Sequence, residues 1–324
     1  MARLVVALGG NALQRAGDHG RWEEAVRRMR ATVGPLAELV RDGHQLVVTH
    51  GNGPQVGALL RQNELSEGEV PPQPLFVLGA ASEGEIGLLI QQELEAGLAR
   101  RGLRATVVTV VSRMEVSASD PAFRDPAKPI GRFYPGPEAA RLRRTNGWTL
   151  REDPAHRGWR RVVASPSPRR WLEAEAVRSW LGARRRTPWI PVVAGGGGVP
   201  VVRERGGRYR GIDAVIDKDR SAALIARSLG ATALVIVTDV PAVAVGFGRP
   251  EQRWLGAVTD RELAGHARRG EFAEGSMGPK VRAVLDFLRG GRGRAIITDI
   301  PSLGAALRGR AGTRVRPARR LPRT

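Results

Sequence analysis

The chain alternates short β-branched apolar runs with longer segments whose apolar positions recur every three or four residues. LVVALGG (4–10) reads as a buried strand entering a glycine turn. Over residues 19–42, Trp22, Val26, Val33, Leu36 and Val40 fall at helical spacing, and Gly43 stops the helix. QLVVTHGNG (45–53) repeats strand and turn, with a helix opening at Pro54. AASEGEIGLLIQQELEAGLARRG (80–102) predicts a third helix ending at Gly102, and ATVVTVV (105–111) a third strand. WIPVVAGGGGVPVV (189–202), ALVIVTDV (233–240) and RAIITDI (294–300) continue the theme, with helices expected over 219–229 and from about Pro279. Apolar strands alternating with helices argue for an α/β fold: a mainly parallel sheet covered on both faces, with its ligand outside the strands' carboxyl ends. At 324 residues and 42% hydrophobic, the chain can bury the core of one large domain or of two lobes.

One segment breaks the rhythm. Residues 115–165 are rich in Pro, Gly, Asp and Arg and lack a long apolar run. Phe123, Phe133, Tyr134, Trp148 and Trp159 give this stretch something to pack, so it is expected to form a small hairpin subdomain and not a linker. The N-terminal apolar run is too short and glycine-broken for a signal peptide, and no later segment approaches a membrane span, so a cytoplasmic location is expected.

Composition changes the picture in one respect. Lys plus Arg number 52 and only three are lysines, Lys128, Lys218 and Lys280, leaving 49 arginines. The formal charge of +20 fits either a binding surface for nucleic acid or an arginine bias spread over a solvated surface, the second being the expectation. Arg184–Arg186 and the RVRPARRLPRT terminus are the candidates for the first. There are no cysteines, which excludes disulfides and thiol catalysis, and the five histidines show no metal spacing.

Three glycine-rich turns follow predicted strands: LGGNAL, HGNGPQVG and AGGGGVPV. Glycine lets backbone approach a ligand, and amides at a following helix start favour an anion. No P-loop is present. Lys280 falls in a first helical turn and Lys218 just ahead of a helix, where a cation opposes the helix dipole. Both placements make sense if an anion sits between ammonium and helix end. Lys128 can reach in from the excursion, and the whole points to phosphoryl chemistry. Asp217 and Asp219 would hold the lysines, although Asp219 also fits a helix cap, while Asp239 fits either a turn or a nucleotide pocket. Nothing makes a dedicated metal cage, which suits Mg²⁺ bound mainly through nucleotide phosphates. Without an obvious nucleophile, catalysis would rest on positioning and charge neutralisation.

ALGGNAL, THGNGPQVG, DPAFRDPAKPIG, RRVVASPSPRR, AGGGGVPVV, IDAVIDKD, TDVPAV, EGSMGPKV and Gly312-Thr313 followed by Val315 run in order along nearly the whole chain. Together they closely resemble the carbamate kinases of the amino acid kinase family. The resemblance implies a three-layer αβα sandwich with a protruding subdomain at about 115–165, an acceptor-binding lobe over 1–215, a nucleotide-binding lobe over 216–315, a basic tail over 316–324, and a homodimer. It implies reversible transfer of phosphoryl between ATP and carbamate, giving ADP and carbamoyl phosphate, with ATP formation during arginine breakdown. Carried over, Gly9, Gly10 and Asn11 would cradle the phosphoryl group and Gly51, Asn52 and Gly53 the carbamate. Lys128, Lys218 and Lys280 would be the catalytic cations, organised by Asp219, with Asp239, Ser276 and Met277 at the nucleotide. Where related kinases carry a lysine ahead of the first Gly-Gly, this chain has Ala7, a carbamate-kinase feature. It departs from the family in Glu83-Gly84-Glu85-Ile86-Gly87-Leu88, which adds two carboxylates and loses an aromatic.

Overall fold

In a computed structural model, residues 2–318 are described apart from 11–12, 15–16, 154–155 and 184–185. The run RLVVAL forms the strand Arg3–Leu8 in the middle of an eight-stranded sheet, because it is apolar on both sides. From one edge to the other the strands are Ala257–Thr259, Thr313–Arg316, Arg294–Thr298, Ala233–Val237, Arg3–Leu8, Gln45–His50, Trp189–Val193 and Thr106–Val110. All pairings are parallel except that of Thr313–Arg316 with Arg294–Thr298. Val5 lies opposite Val47 on one side and Leu234 on the other.

The two-residue period of a strand divides its side chains between two cores. Leu4, Val6 and Leu8 pack with Met29 and Leu36 of helix α1 (Trp22–Arg41) and with Ile86, Ile90 and Leu94 of α3 (Leu75–Ala99), which follows α2 (Gly53–Ser66). Val5 and Ala7 face the other way, toward a core that also holds Ala222 and Ile225 of α6 (Lys218–Ser228) and Val281 and Val284 of α8 (Met277–Leu288). Between these in chain order come α4 (Gly136–Asn146), α5 (Ala174–Gly182) and α7 (Asp260–Arg268). Burying each such aliphatic side chain contributes about 1.5–3 kcal/mol, so both faces must be covered for the sheet to hold. The result is the expected sandwich of helices on both faces of a mainly parallel sheet.

Helices α2 and α6 each start one residue before the sequence expectation, at Gly53 and Lys218, and α3 and α8 start earlier still. α3 begins at Leu75, five residues early, because Pro74 in extended conformation (ψ 150°) turns the chain directly into the helix. α8 begins at Met277, ahead of Pro279, which occupies its first turn where no amide partner is needed.

The excursion is more than a hairpin. Strands Lys128–Tyr134, Trp159–Val163 and Leu150–Glu152 form an antiparallel sheet in that order, with α4 packed beside it. Tyr134, Ala139, Leu142 and Leu150 make its small core, with Trp148 and Trp159 partly buried against it. Arginine extends this packing: Arg143 lies over Trp159 at 4.4 Å, Arg161 over Trp148 at 4.5 Å and Arg132 over Tyr134 at 4.3 Å. Phe123 belongs elsewhere, since it packs against the main core. Among the described residues, no helix is long and apolar enough to cross a membrane.

Candidate active site

Parallel strands end on the same side of a sheet, so the turns after them share one edge. Here Gly9–Gly10, Gly51–Gly53, Gly195–Gly198 and Thr238–Asp239 each follow a strand of the main sheet, and they border a cleft of about 2260 Å³, the third of them through Gly196. The turns touch. A Cβ on Gly9 would sit 2.9 Å from the Val237 carbonyl oxygen, and one on Gly51 would sit 3.3 Å from the Gly10 amide nitrogen and 3.6 Å from Cδ of Lys218. At Gly9 backbone meets backbone too closely for any side chain, and at Gly51 a side chain would fit only if the Gly10 backbone gave way by a few tenths of an ångström.

The lysines converge on a pair of aspartates. Lys218 Nζ donates to Asp219 Oδ1 at 2.5 Å and Lys280 Nζ to Asp219 Oδ2 at 3.1 Å, while Lys128 Nζ donates to Asp217 Oδ2 at 3.1 Å. Asp219 and the ends of Lys218 and Lys280 are nearly enclosed, with side chains 4%, 14% and 15% exposed; Lys128 is 36% exposed. Burial by itself favours a protonated Asp219, but the two ammonium groups win and hold its carboxyl at about 2. Burial pulls the Lys218 ammonium below its usual range, opposed mainly by Asp219. At an effective dielectric near 20, opposite charges ~4 Å apart attract by roughly 4 kcal/mol, enough to keep three charges together in a part-buried site.

Local structure explains the placement. Asp217, not Asp219, caps α6: its Oδ1 accepts the backbone N–H groups of Asp219 and Arg220 at 3.0 and 3.3 Å. Lys218 is therefore the first residue of the helix, and its cation is tolerated because Asp219 neutralises it. Lys128 opens its strand on the excursion and leans onto the same cap. Asn52 precedes α2 without a side-chain cap bond; its Nδ2 instead donates to Ser82 Oγ at 2.8 Å. Asp239 accepts from Thr238 Oγ1 at 2.9 Å and lines the far end of the cleft with Ser276 and Met277 at the start of α8.

The structure thus brings Gly9, Gly10, Gly51, Asn52, Gly53, Lys128, Lys218, Asp219, Asp239, Ser276, Met277 and Lys280 to one cleft. Asn11 lies outside the described residues, as do Arg184, Arg185 and the last six residues of the tail. Sequence reading missed several neighbours. His50 is buried at the end of its strand, its Nδ1 3.0 Å from the Gly51 carbonyl oxygen, and burial holds its imidazole neutral with a pKa near 4. Phe247 and Trp254, large aromatics 64% and 45% exposed, line the same cleft. The signal for Phe247 was present: it lies between Gly246 and Gly248, both at positive φ (63° and 77°), an unusual setting for a core aromatic. Arg220 and Arg282 also line the cleft and were lost in the arginine background.

A donor set for a resident metal does not emerge. Asp217 and Asp219 commit their oxygens to ammonium and amide groups, and no cluster of three His, Asp or Glu suited to a cation occurs among the described residues. Two ammonium groups at a glycine-lined cleft suit an anion.

Comparison with known proteins gives the geometry its lineage. The carbamate kinase of Pyrococcus horikoshii is 43% identical over 317 residues, 97% of this chain and 99% of that protein. The carbamate kinase of Halobacterium salinarum is 44% identical, over 98% of this chain and 99% of its own length. The solved structure of the Giardia lamblia carbamate kinase bound to AMP-PNP superposes with a TM-score of 0.91 at 36% identity, over 98% of this chain and 99% of that one. The family model for the amino acid kinase family matches residues 2–299. With sheet, glycine turns and near full-length relatives all in agreement, the chain belongs to the amino acid kinase family.

Proposed function

We propose that the chain is a carbamate kinase, transferring phosphoryl reversibly between ATP and carbamate to give ADP and carbamoyl phosphate. The observation that carries the reading is the pair Lys218 and Lys280 bound to the two oxygens of one buried carboxylate, in a cleft bordered by the glycine turns after the strands. In the ATP-forming direction, a terminal oxygen of ADP attacks the phosphorus of carbamoyl phosphate. The bond from phosphorus to the carbamate oxygen breaks, and carbamate leaves with the electron pair. Charge develops on the transferred group's oxygens, where Lys218 and Lys280 neutralise it and Gly9 and Gly10 let the backbone approach.

Gly51, Asn52 and Gly53 form the acceptor side, Asp239, Ser276 and Met277 the nucleotide side, and Asp219 fixes the two lysines. Lys128 enters from the excursion and adds a third positive charge from above. Mg²⁺ fits this site through phosphate oxygens of the nucleotide, since Asp217 and Asp219 are already committed to lysines; its contribution would be further charge neutralisation. In this reading residues 1–215 hold the acceptor and 216–315 the nucleotide, and the protein is a cytoplasmic homodimer serving ATP formation in arginine breakdown.

The test is an assay of ATP formed from carbamoyl phosphate and ADP. Strong ATP formation with carbamoyl phosphate, and none with acetyl phosphate or N-acetylglutamyl phosphate, is expected. The opposite preference would reassign the chain to another acceptor within the family.

A further inference from the structure

Behind the acceptor-side turns lies a carboxyl that the reaction above does not use. Glu83, on α3, is 1% exposed. Its Oε2 accepts the Ser112 backbone N–H at 3.0 Å, and its Oε1 is buried with no hydrogen-bond partner. Ser112 ties this pair to the turn at 194–198, because its Oγ accepts the Ala194 N–H at 2.9 Å. Glu83 and His50 both press on that turn: a Cβ on Gly195 would lie 2.5 Å from His50 Nε2 and 3.1 Å from Glu83 Cγ. The next glycine bears directly on the acceptor site, since a Cβ on Gly196 would lie 2.1 Å from Asn52 Nδ2. Asn52 is held from the other side by Ser82, the residue before Glu83.

No cation pairs with Glu83 among the described residues. The titratable groups facing it are His50, which is neutral, and Glu173, a carboxylate already paired with Arg113 at 2.7 Å. His50 in turn feels Lys218, which disfavours its protonation further. An ionised carboxylate at Glu83 would be a buried charge with no cation beside it and a repelling neighbour, eased only by the backbone amides of Ser112, Gly195 and Val199.

We propose that Glu83 is a positioning residue that works as a neutral carboxylic acid, seating the 194–198 turn and through it Asn52 in acceptor-binding geometry. Burial, reinforced by Glu173, holds its proton well above the ordinary carboxylate range, against the weaker pull of the Ser112, Gly195 and Val199 amides, the second of which belongs to the turn itself. Ionisation in alkaline solution places a charge beside Gly195 and drives the carboxyl toward water, displacing the turn. The nucleotide side, across the cleft, does not share this contact.

The inference takes its acceptor from the carbamate-kinase reading, so the test has an arm independent of activity. Infrared difference spectra of wild type against Glu83→Gln at neutral pH are expected to show a carboxylic-acid carbonyl band that the variant lacks. In kinetics from about pH 6 to 10, the KM for carbamoyl phosphate is expected to rise at least about fivefold on the alkaline side in wild type and to stay flat in Glu83→Gln, with the KM for ADP level in both. Glu83→Ala, which removes the group altogether, should raise the KM for carbamoyl phosphate at every pH. The proposal is overturned by a carboxylate spectrum for Glu83 at neutral pH, or by identical pH profiles in wild type and Glu83→Gln. A wild type that forms no ATP would instead sink the carbamate-kinase reading and leave the infrared result to decide the state of Glu83.

Discussion

Lysine and arginine carry the same charge, yet a chain with 49 arginines keeps lysine at the two positions that share Asp219. Each ammonium takes one carboxylate oxygen, which leaves its remaining donors for an anion. A guanidinium fork would take both oxygens and expel the other cation. Lys218→Arg and Lys280→Arg are each expected to lower kcat by about 100-fold or more, the scale of losing one donor to transition-state charge, while circular dichroism and melting stay near wild type. Near-normal turnover in both would remove lysine's special role. The same residues set the acid limit of stability. His50 is held near 4, below its ordinary 6.5, and Asp219 near 2, below 3.8. Both folded values are depressed, so the unfolded chain binds more protons in each window. Stability is therefore full above the ordinary values and is lost as pH falls, first from 6.5 toward 4 through His50 and then from 3.8 toward 2 through Asp219. The His50 stage is worth roughly 3 kcal/mol, and His50→Gln should flatten that part of a melting-versus-pH curve.

Elements position what residues supply. The turn Ala194–Gly198 holds a run of positive φ, with Ala194 at 50° and Gly196 at 64°, and it abuts the side chain of Asn52. Gly196→Ala should push Asn52 away and raise the KM for carbamoyl phosphate about tenfold or more, with ADP binding by calorimetry unchanged; equal effects on both ligands would mean general disruption. The Asp217 cap both starts α6 and receives Lys128, so Asp217→Ala should cost about 1 kcal/mol in denaturant unfolding and also lower turnover. Much at this scale was legible in sequence. Helix α1 was visible in five spaced apolar residues, and the central strands in their β-branched runs, because burial on one or two faces imposes a period. The start of α3 was not, since LFVLG behind a proline has no polar face to reveal a helix. Nor were the strands and helix of the excursion's second half, where Trp148 and Trp159 signalled packing but arginines laid over them share it with a few aliphatics and leave no periodic pattern.

At the scale of the whole molecule, a charge of +20 surrounds a cleft whose proposed ligands are all anions. Such a field attracts anions from a distance and is screened within about 10 Å at 0.1 M salt. The kcat/KM for carbamoyl phosphate is expected to fall several-fold between low and moderate ionic strength while kcat holds; a flat response would confine the arginines to a solvated surface with no part in steering. The linear sequence determined the α/β class, the strand-and-turn punctuation and the rarity of lysine, because these depend on local preference and periodic burial. It also marked Asp217 and Asp219 as partners for lysine without distinguishing their tasks. Only the tertiary structure decided that Asp217 is the cap and Asp219 the bridge, that Lys128 crosses from the excursion to α6, and that His50 and Glu83 meet behind Gly195. Apart from the cap, those facts rest on contacts between distant segments, 89 residues apart for Lys128 with Asp217 and 145 for Gly195 with His50, and no local rule constrains such a pairing before the sheet is assembled.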